Sequence, residues 1–368
     1  MSGDWEIYKN DNEPRADDGA WEVPAPSWRQ FDSLPTDDLF VGPAPGDFAG
    51  PFFYRADQKV KDTVNLALHL RRPILVTGAP GTGKTSLASS IAYELGLGPV
   101  LQWLITSKST VRDGIYQYDV LARVNDMNLA DKEALSEIDP EYADALKETA
   151  RNIGEYITLG PLGDALLPRP KPRVLLIDEI DKSDIDLPGD LLHVLERGSF
   201  EIPELVRERD QEVTVRCAPR EKVRGQNQQY SEADTEDRNK VRIYRGQVTC
   251  SQFPVIVLTS NEDRDFPTAF RRRCLPLQLD PPTPEALWEI AKEKLGKTPG
   301  KAGETLIDRF VREPADPQVG RGKDGRLRAT DQLLNALYLR MSGSGLNKND
   351  FDRLYEIVLA RLGESFGD

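Results

Sequence analysis

Eight consecutive residues, GAPGTGKT from Gly78 to Thr85, carry the strongest chemical signal in the chain. They satisfy G-x-x-x-x-G-K-[ST], with an apolar run, PILVTG, leading in and a helical pattern, SLASSIAYELGLG, leading out. The residue types match the needs of a bound polyphosphate. Glycines let backbone N–H groups wrap the phosphates, the helix N-terminus adds a positive dipole end, Lys84 supplies a point charge and Thr85 offers a hydroxyl to Mg²⁺. The expected phosphate-binding residues are Gly78, Ala79, Pro80, Gly81, Thr82, Gly83, Lys84 and Thr85, with Ser86 directly behind them.

Two further apolar runs end in polar side chains. VLLIDEID, from Val174 to Asp181, closes on paired carboxylates, where Asp178 suits a Mg²⁺-linked position and Glu179 can aim at the water that attacks a γ-phosphate. VIVLTSN, from Val255 to Asn261, ends on an amide that could hydrogen-bond that water or the phosphate, or could instead cap a following helix. TAFRRRCLPLQL, from Thr268 to Leu279, then sets Arg271, Arg272 and Arg273 before an alternating apolar segment. Such a run could hold nucleic-acid phosphate, pair with acids of its own surface, or reach a phosphate bound elsewhere.

These residues need a scaffold, and 368 residues with 39% apolar and 30% charged content provide an ordinary globular one, long enough for two or three domains. Helix and strand patterns alternate from DQKVKDTVNLALHL through PILVTG, VLQWLIT, RVLLID, FPVIVLTSN and LPLQL, which predicts a three-layer αβα domain around a mostly parallel sheet. Beyond Pro284 four helical patterns follow, PEALWEIAKEKL, ETLIDRFVRE, ATDQLLNALYLRM and NDFDRLYEIVLARL, and predict an all-helical domain. The expected division is an acidic, Pro-rich arm over 1–50, a core over 51–282 with surface insertions near 110–160 and 206–247, and a helical domain over 283–368. The arm holds eleven acids against three bases, yet its seven Trp, Tyr and Phe residues predict that parts of it pack on the body or on a neighbouring subunit.

Net charge of −13 argues against broad nucleic-acid binding, although the cluster Arg216, Arg220, Lys222 and Arg224 leaves room for a local basic groove. Cys217, Cys250 and Cys274 lie far apart and the histidines are His69 and His193, so zinc, disulfide and His-based chemistry are not expected. No run approaches the ~20 apolar residues of a membrane helix. The first residues, MSGDWEIYKNDNEP, lack the features of a signal or transit peptide, so a cytoplasmic location is expected.

Taken in order, GAPGTGKT, VLLIDEID, TSN and AFRRRC followed by helices resemble the Walker A, Walker B, sensor 1 and arginine-finger elements of the AAA+ ATPases. More narrowly, RADQKVKDTVNLALHLRRPILVTGAPGTGKT and LGPLGDALLPRPKPRVLLIDEIDKSDIDLPGDLLHVLERGSFEIPE are similar to the MoxR-like branch. The resemblance spans about residues 52–340. It implies an αβα core with a helical lid, Mg²⁺-dependent ATP hydrolysis with ATP and Mg²⁺ as ligands, and assembly into a ring, usually of six. Thr85 and Asp178 would then serve the metal, Glu179 is the catalytic carboxylate, Asn261 is sensor 1, Arg273 is the finger that reaches a neighbour's γ-phosphate, and Arg272 is a second contact. Arg328 is placed like the lid's sensor 2 arginine, with Arg326 and Arg321 close by. A chaperone-like remodeller of partner proteins is the expected function, with a von Willebrand A-type adaptor suggested by the resemblance. A nucleic-acid motor and a nucleotide-dependent assembly switch are the alternatives.

Overall fold

A computed structural model of the chain describes residues 5–14, 21, 23–31, 54–130, 140–208, 212–218, 240–261, 264–296, 298–312 and 330–341. In chain order its strands are β1 (Ile74–Thr77), β2 (Leu101–Leu104), β3 (Tyr116–Tyr118), β4 (Ile157–Leu159), β5 (Val174–Asp178), β6 (Ser199–Glu201), β7 (Glu212–Arg216), β8 (Lys240–Tyr244), β9 (Gln247–Thr249), β10 (Val255–Ser260) and β11 (Leu275–Gln278).

The first sheet has the order β11-β1-β10-β5-β2, and every neighbour pair is parallel. Ile74 stands beside both Val257 and Leu275, Val174 beside Val255, and Leu101 beside Leu175. The three central strands are buried on both faces, which is why they read as unbroken apolar runs. Their side chains divide with the two-residue period of a strand. Ile74, Val76, Val174, Leu176, Val255 and Val257 join one core with the helices α1 (Gln58–Leu70) and α2 (Lys84–Glu94), whereas Leu75, Leu175, Ile177, Ile256 and Leu258 join another on the opposite face. The edge strands alternate instead: Leu101, Trp103, Leu275 and Leu277 are buried while Pro276 takes an outward position that only an edge strand tolerates.

The second core is shared with the six-stranded sheet β3-β4-β7-β8-β9-β6. Parts of both stretches expected as surface insertions belong to this sheet. Val213 and Val215 of β7 face Ile243 and Val241 of β8 across an antiparallel ladder, and all four are buried. In so polar a stretch the alternation is short, and the charges between these strands mask it. The other insertion supplies β3 and β4 to the same sheet and the helices α4 (Val120–Ala130) and α5 (Pro140–Arg151), which follow the short α3 (Val111–Ile115). Later come α6 (Pro161–Ala165), α7 (Leu187–Arg197), α8 (Pro203–Val206) and α9 (Thr268–Arg273).

Three of the four C-terminal helical patterns fall on α10 (Pro284–Leu295), α11 (Gly300–Arg312) and α12 (Thr330–Met341). They enclose a separate core of Leu287, Ala291, Leu306, Ile307, Leu333, Ala336 and Leu337, the i, i+3, i+4 stripe of amphipathic helices. The fourth pattern lies outside the described residues. Among the described residues no helix is long and apolar enough to cross a membrane.

Part of the N-terminal arm packs on the body. Asn65 of α1 accepts from the amides of Ile7 and Tyr8 at 2.7 and 2.8 Å and donates to the Tyr8 carbonyl at 2.8 Å, so one side-chain amide takes the place of a neighbouring strand. Tyr8 is fully buried with its hydroxyl 2.7 Å from Ser90 Oγ of α2, and burial raises its phenol pKa. Glu94 accepts from the amides of Lys9 and Asn10 at 2.6 and 3.1 Å, while Asn10 pairs with the backbone of Tyr54 and Ala56 at 2.9 and 2.6 Å. Substituting Tyr8→Ala is expected to cost about 3 kcal/mol in urea unfolding, the cost of removing a buried aromatic ring.

The hairpin of β7 and β8 is tied to Glu155, which accepts from Lys240 at 3.0 Å and Arg216 at 3.3 Å. Burial pushes this carboxyl up, but the two bases outweigh it and hold it below the usual carboxylate range. A carboxylate depressed in the folded state gives stability that is present above its unfolded pKa and is lost as the pH falls through its folded pKa. Glu155→Gln is therefore expected to lower Tm by about 2 °C near neutrality. In calorimetry across pH, the gap to the parent closes below about pH 4.

Candidate active site

The parallel sheet places the C-terminal ends of β1, β5 and β10 side by side, and the three polar sequence signals meet there. After β1 the chain turns through Gly78, Gly81 and Gly83, all at positive φ. At Gly78 a Cβ would lie 2.6 Å from the Leu279 carbonyl oxygen, so a side chain is excluded by backbone. Gly83 is the left-handed N-cap of α2, and a Cβ there would press on the Tyr54 ring at 3.3 Å. Lys84 is the first residue of α2, and its ammonium donates to the carbonyls of Gly78 and Ala79 at 2.6 and 3.0 Å and to Asn261 Oδ1 at 2.8 Å. Thr82 Oγ1 closes the loop on the Ala79 carbonyl at 2.9 Å.

Asp178 ends β5 beside this loop. Its carboxylate lies 3.4 and 3.5 Å from Thr85 Oγ1 and 3.5 Å from Gln102 Nε2, and Oδ1 accepts from Thr259 Oγ1 at 2.5 Å. Thr259 oxygen in turn accepts from the Glu179 amide at 2.9 Å, so one hydroxyl on β10 fixes both acidic residues. Glu179 has φ +60° and ψ +46°, a left-handed conformation that costs a non-glycine residue about 1–2 kcal/mol. The following 3₁₀ turn, Ile180–Lys182, returns an amide from Lys182 to the Glu179 carbonyl at 2.9 Å, and the Lys182 ammonium meets Glu179 Oε2 at 2.6 Å. Buried Asp181 accepts from the Asn261 amide at 2.8 Å. The two readings of Asn261 thus separate: its side chain is on Lys84, while the next described helix starts at Thr268 behind Pro267.

Sequence reasoning missed Thr259, Asp181 and Lys182. The first lies in the motif as an ordinary strand threonine, and only the β10–β5 register brings it to Asp178. Arg264, also missed, donates to Ser183 Oγ and the Asp184 carbonyl, both at 3.0 Å, bracing the segment after the acidic pair.

The arginine run is at the other end of the sheet. Arg273 ends α9 just before β11, whose Leu275 stands beside Ile74 at the start of β1. The length of β1, four residues and about 13 Å, therefore separates this edge from the phosphate loop. Arg72 donates to the backbone carbonyls of Arg272, Arg273 and Cys274, and the Arg273 guanidinium pairs with Glu196 on α7. The side chains of Arg271 and Arg272 are exposed. Burial pushes the Cys274 thiol up to about 12. Arg328, Arg326 and Arg321 lie outside the described residues, as do Arg220, Lys222 and Arg224; Arg216 is paired with Glu155.

Residues 73–274, more than half the chain, match the family model of the AAA domain, dynein-related subfamily. The chain belongs to this family. No curated protein matches it. The matched segment begins at β1 and closes just past the arginine run, so both edges of the site fall inside it. The protein is an AAA+ ATPase on a three-layer P-loop core, and AAA+ proteins commonly assemble into rings. The site fits Mg²⁺ and ATP: a hydroxyl and a carboxylate, both hard oxygen donors, converge at Thr85 and Asp178 beside a loop whose Gly78 leaves no room for a Cβ.

Thr259→Val removes the hydroxyl that holds Asp178 and Glu179 while keeping the shape of the side chain. Turnover is expected to fall about ten- to a hundredfold, as for a buried polar group left unpaired. Nucleotide affinity, read by titration with a fluorescent ATP analogue, is expected to stay within a few-fold of the parent.

Proposed function

We propose that this ATPase is of the MoxR-like type, works as a homohexameric ring with active sites shared between subunits, and uses hydrolysis to remodel a partner protein. The cytoplasm is its proposed location and a von Willebrand A-type protein its proposed adaptor. The observation that carries the reading is the separation of the phosphate loop from Arg273 by the full length of β1. A guanidinium at that edge is too far to serve its own loop, and it stands where a neighbour's bound nucleotide could receive it. The resemblance of the two stretches around the Walker motifs to the MoxR-like branch supports the narrower type. The paired state of Arg216 and the charge of −13 favour a protein over a nucleic-acid substrate.

In this mechanism the amides of the Gly78–Thr85 loop and the α2 N-terminus bind the β- and γ-phosphates, and Lys84 exchanges backbone carbonyls for phosphate oxygens. Thr85 and Asp178 would hold Mg²⁺, which when bound neutralises developing phosphate charge. Glu179 orients the attacking water and takes its proton at a carboxylate oxygen. For that, its Oε2 has to leave Lys182. Asn261, in contact with Lys84, reports on the γ-phosphate side of the loop. Arg273 from the next subunit stabilises charge in the transition state, with Arg272 beside it, and the resemblance adds Arg328 as the sensor 2 arginine.

Glu179→Gln is expected to bind nucleotide and lose turnover; a rate equal to the parent's would remove Glu179 from the mechanism. Arg273→Ala is expected to bind ATP within a few-fold and to lose turnover by about a thousandfold or more. Mixing the two inactive variants is the decisive assay. Shared sites pair an intact Glu179 with an intact Arg273 from its neighbour, so the mixture regains ATPase activity, whereas a site complete within one chain gives none.

A further inference from the structure

The edge that carries Arg273 also carries a piece of the N-terminal arm. Ser27–Arg29 forms a 3₁₀ turn in which Arg29 Nη1 donates to the Leu195 carbonyl at 2.8 Å, its guanidinium lies 4.8 Å from the Phe253 ring centroid, and Phe31 stacks on that ring at 6.2 Å. Burial lowers the Arg29 pKa. These contacts hold the turn against the C-terminal end of α7 and leave Trp28 outermost. Trp28 is 73% exposed and lines one cleft with Arg29, Leu70, Arg72, Arg272 and Arg273. A large indole displayed among four arginines is costly to leave in water and is the residue type that most often anchors an interface.

The opposite end of α7 has the complementary character. The helix is 11 residues and about 16 Å long, running from the carboxylate turn after β5 to Glu196 at the arginine edge. Just before it the exposed residues are Asp184, Ile185 and Asp186, with Asp190 one turn on, and Ile185 is 66% exposed. One end of the molecule thus offers four arginines and Glu196 around a bare indole, and the other offers Asp184, Asp186 and Asp190, with Lys182 and Arg264 nearby, around a bare isoleucine. Two unlike, complementary patches on one chain suit a head-to-tail contact, which closes into a ring where the rotation permits.

We propose that Trp28 is an inter-subunit anchor: the arm's Ser27–Arg29 turn docks on the Asp184–Asp186 turn of a second copy, with the indole against Ile185, and so seats Arg273 in that copy's site. This rests on the shared-site reading above and adds a residue outside the family match, on a segment that would otherwise be a tail. It also assigns the arm a function. By docking on the same edge as the finger, it makes assembly and finger placement one event.

The test measures assembly of the full chain with Mg²⁺ and a non-hydrolysable ATP analogue, by sedimentation over a concentration series, for the parent, Trp28→Ala, Ile185→Ala and the double variant. Each single substitution is expected to raise the concentration of half-assembly, Trp28→Ala by about tenfold or more, and the double variant to do little more than Trp28→Ala alone. Trp28→Phe is expected to recover part of the loss, and nucleotide affinity of the dissociated subunit stays at the parental value. Assembly of Trp28→Ala at the parental concentration overturns the proposal, as does full additivity of the two substitutions. If in either case Arg273→Ala and Glu179→Gln still complement on mixing, the shared site stands without the arm. A parent that remains monomeric with the analogue and turns over at a rate independent of its concentration overturns both.

Discussion

All five strands of the first sheet run in one direction, and that single polarity arranges everything else. A parallel sheet has two unlike edges: the C-terminal ends of β1, β5 and β10 collect the phosphate loop, the carboxylates and Asn261, while the start of β11 fixes the arginines at the other. The three central strands are buried on both faces, so their polar residues can leave the sheet only at its two ends. The separation of cation from phosphate therefore follows from the direction in which the strands pair. A chain organised this way holds its phosphate loop and its arginine run at opposite ends of one sheet.

Within the site the chemistry is held by short, mutually dependent contacts. Thr259 donates a hydrogen bond to Asp178 and accepts one from the Glu179 amide, which stabilises a left-handed backbone at Glu179. The same turn supplies Lys182 to the Glu179 carboxylate and Asp181 to the Asn261 amide. Glu179 and Asn261 thus belong to one network. Lys84 joins that network through its hydrogen bond to Asn261 Oδ1.

The arm and α7 extend this network outward. Residues 7–10 lie on Asn65, Ser90 and Glu94, the last two on the helix that starts at the phosphate loop. Residues 27–31 lie on the far end of α7, the helix that starts behind the acidic pair. Two rigid rods of about three turns each therefore link the nucleotide edge to surfaces covered by the arm. Glu196 is placed between these worlds, holding Arg273 from the C-terminal turn of α7.

The phosphate loop, the paired carboxylates, the five core strands and the first three C-terminal helices were legible in the sequence because each is a local pattern: glycine spacing before a helix, apolar runs with polar ends, 3.6-residue periodicity. By itself the sequence also determined which residue types were available for the chemistry. The β7–β8 pairing was hidden because its face of three valines and one isoleucine is interleaved with charge over a stretch of nine acids and ten bases. Thr259, Asp181 and Lys182 were hidden because their roles depend on strand register and on a 3₁₀ turn, and no local spacing encodes either. What only the tertiary structure decided is where the two ends of the chemistry stand. Arg273 follows Asn261 by twelve residues in the chain, yet the parallel direction of β10 and β11 sends one to each edge of the sheet. Direction in a sheet is a property of pairing between distant segments.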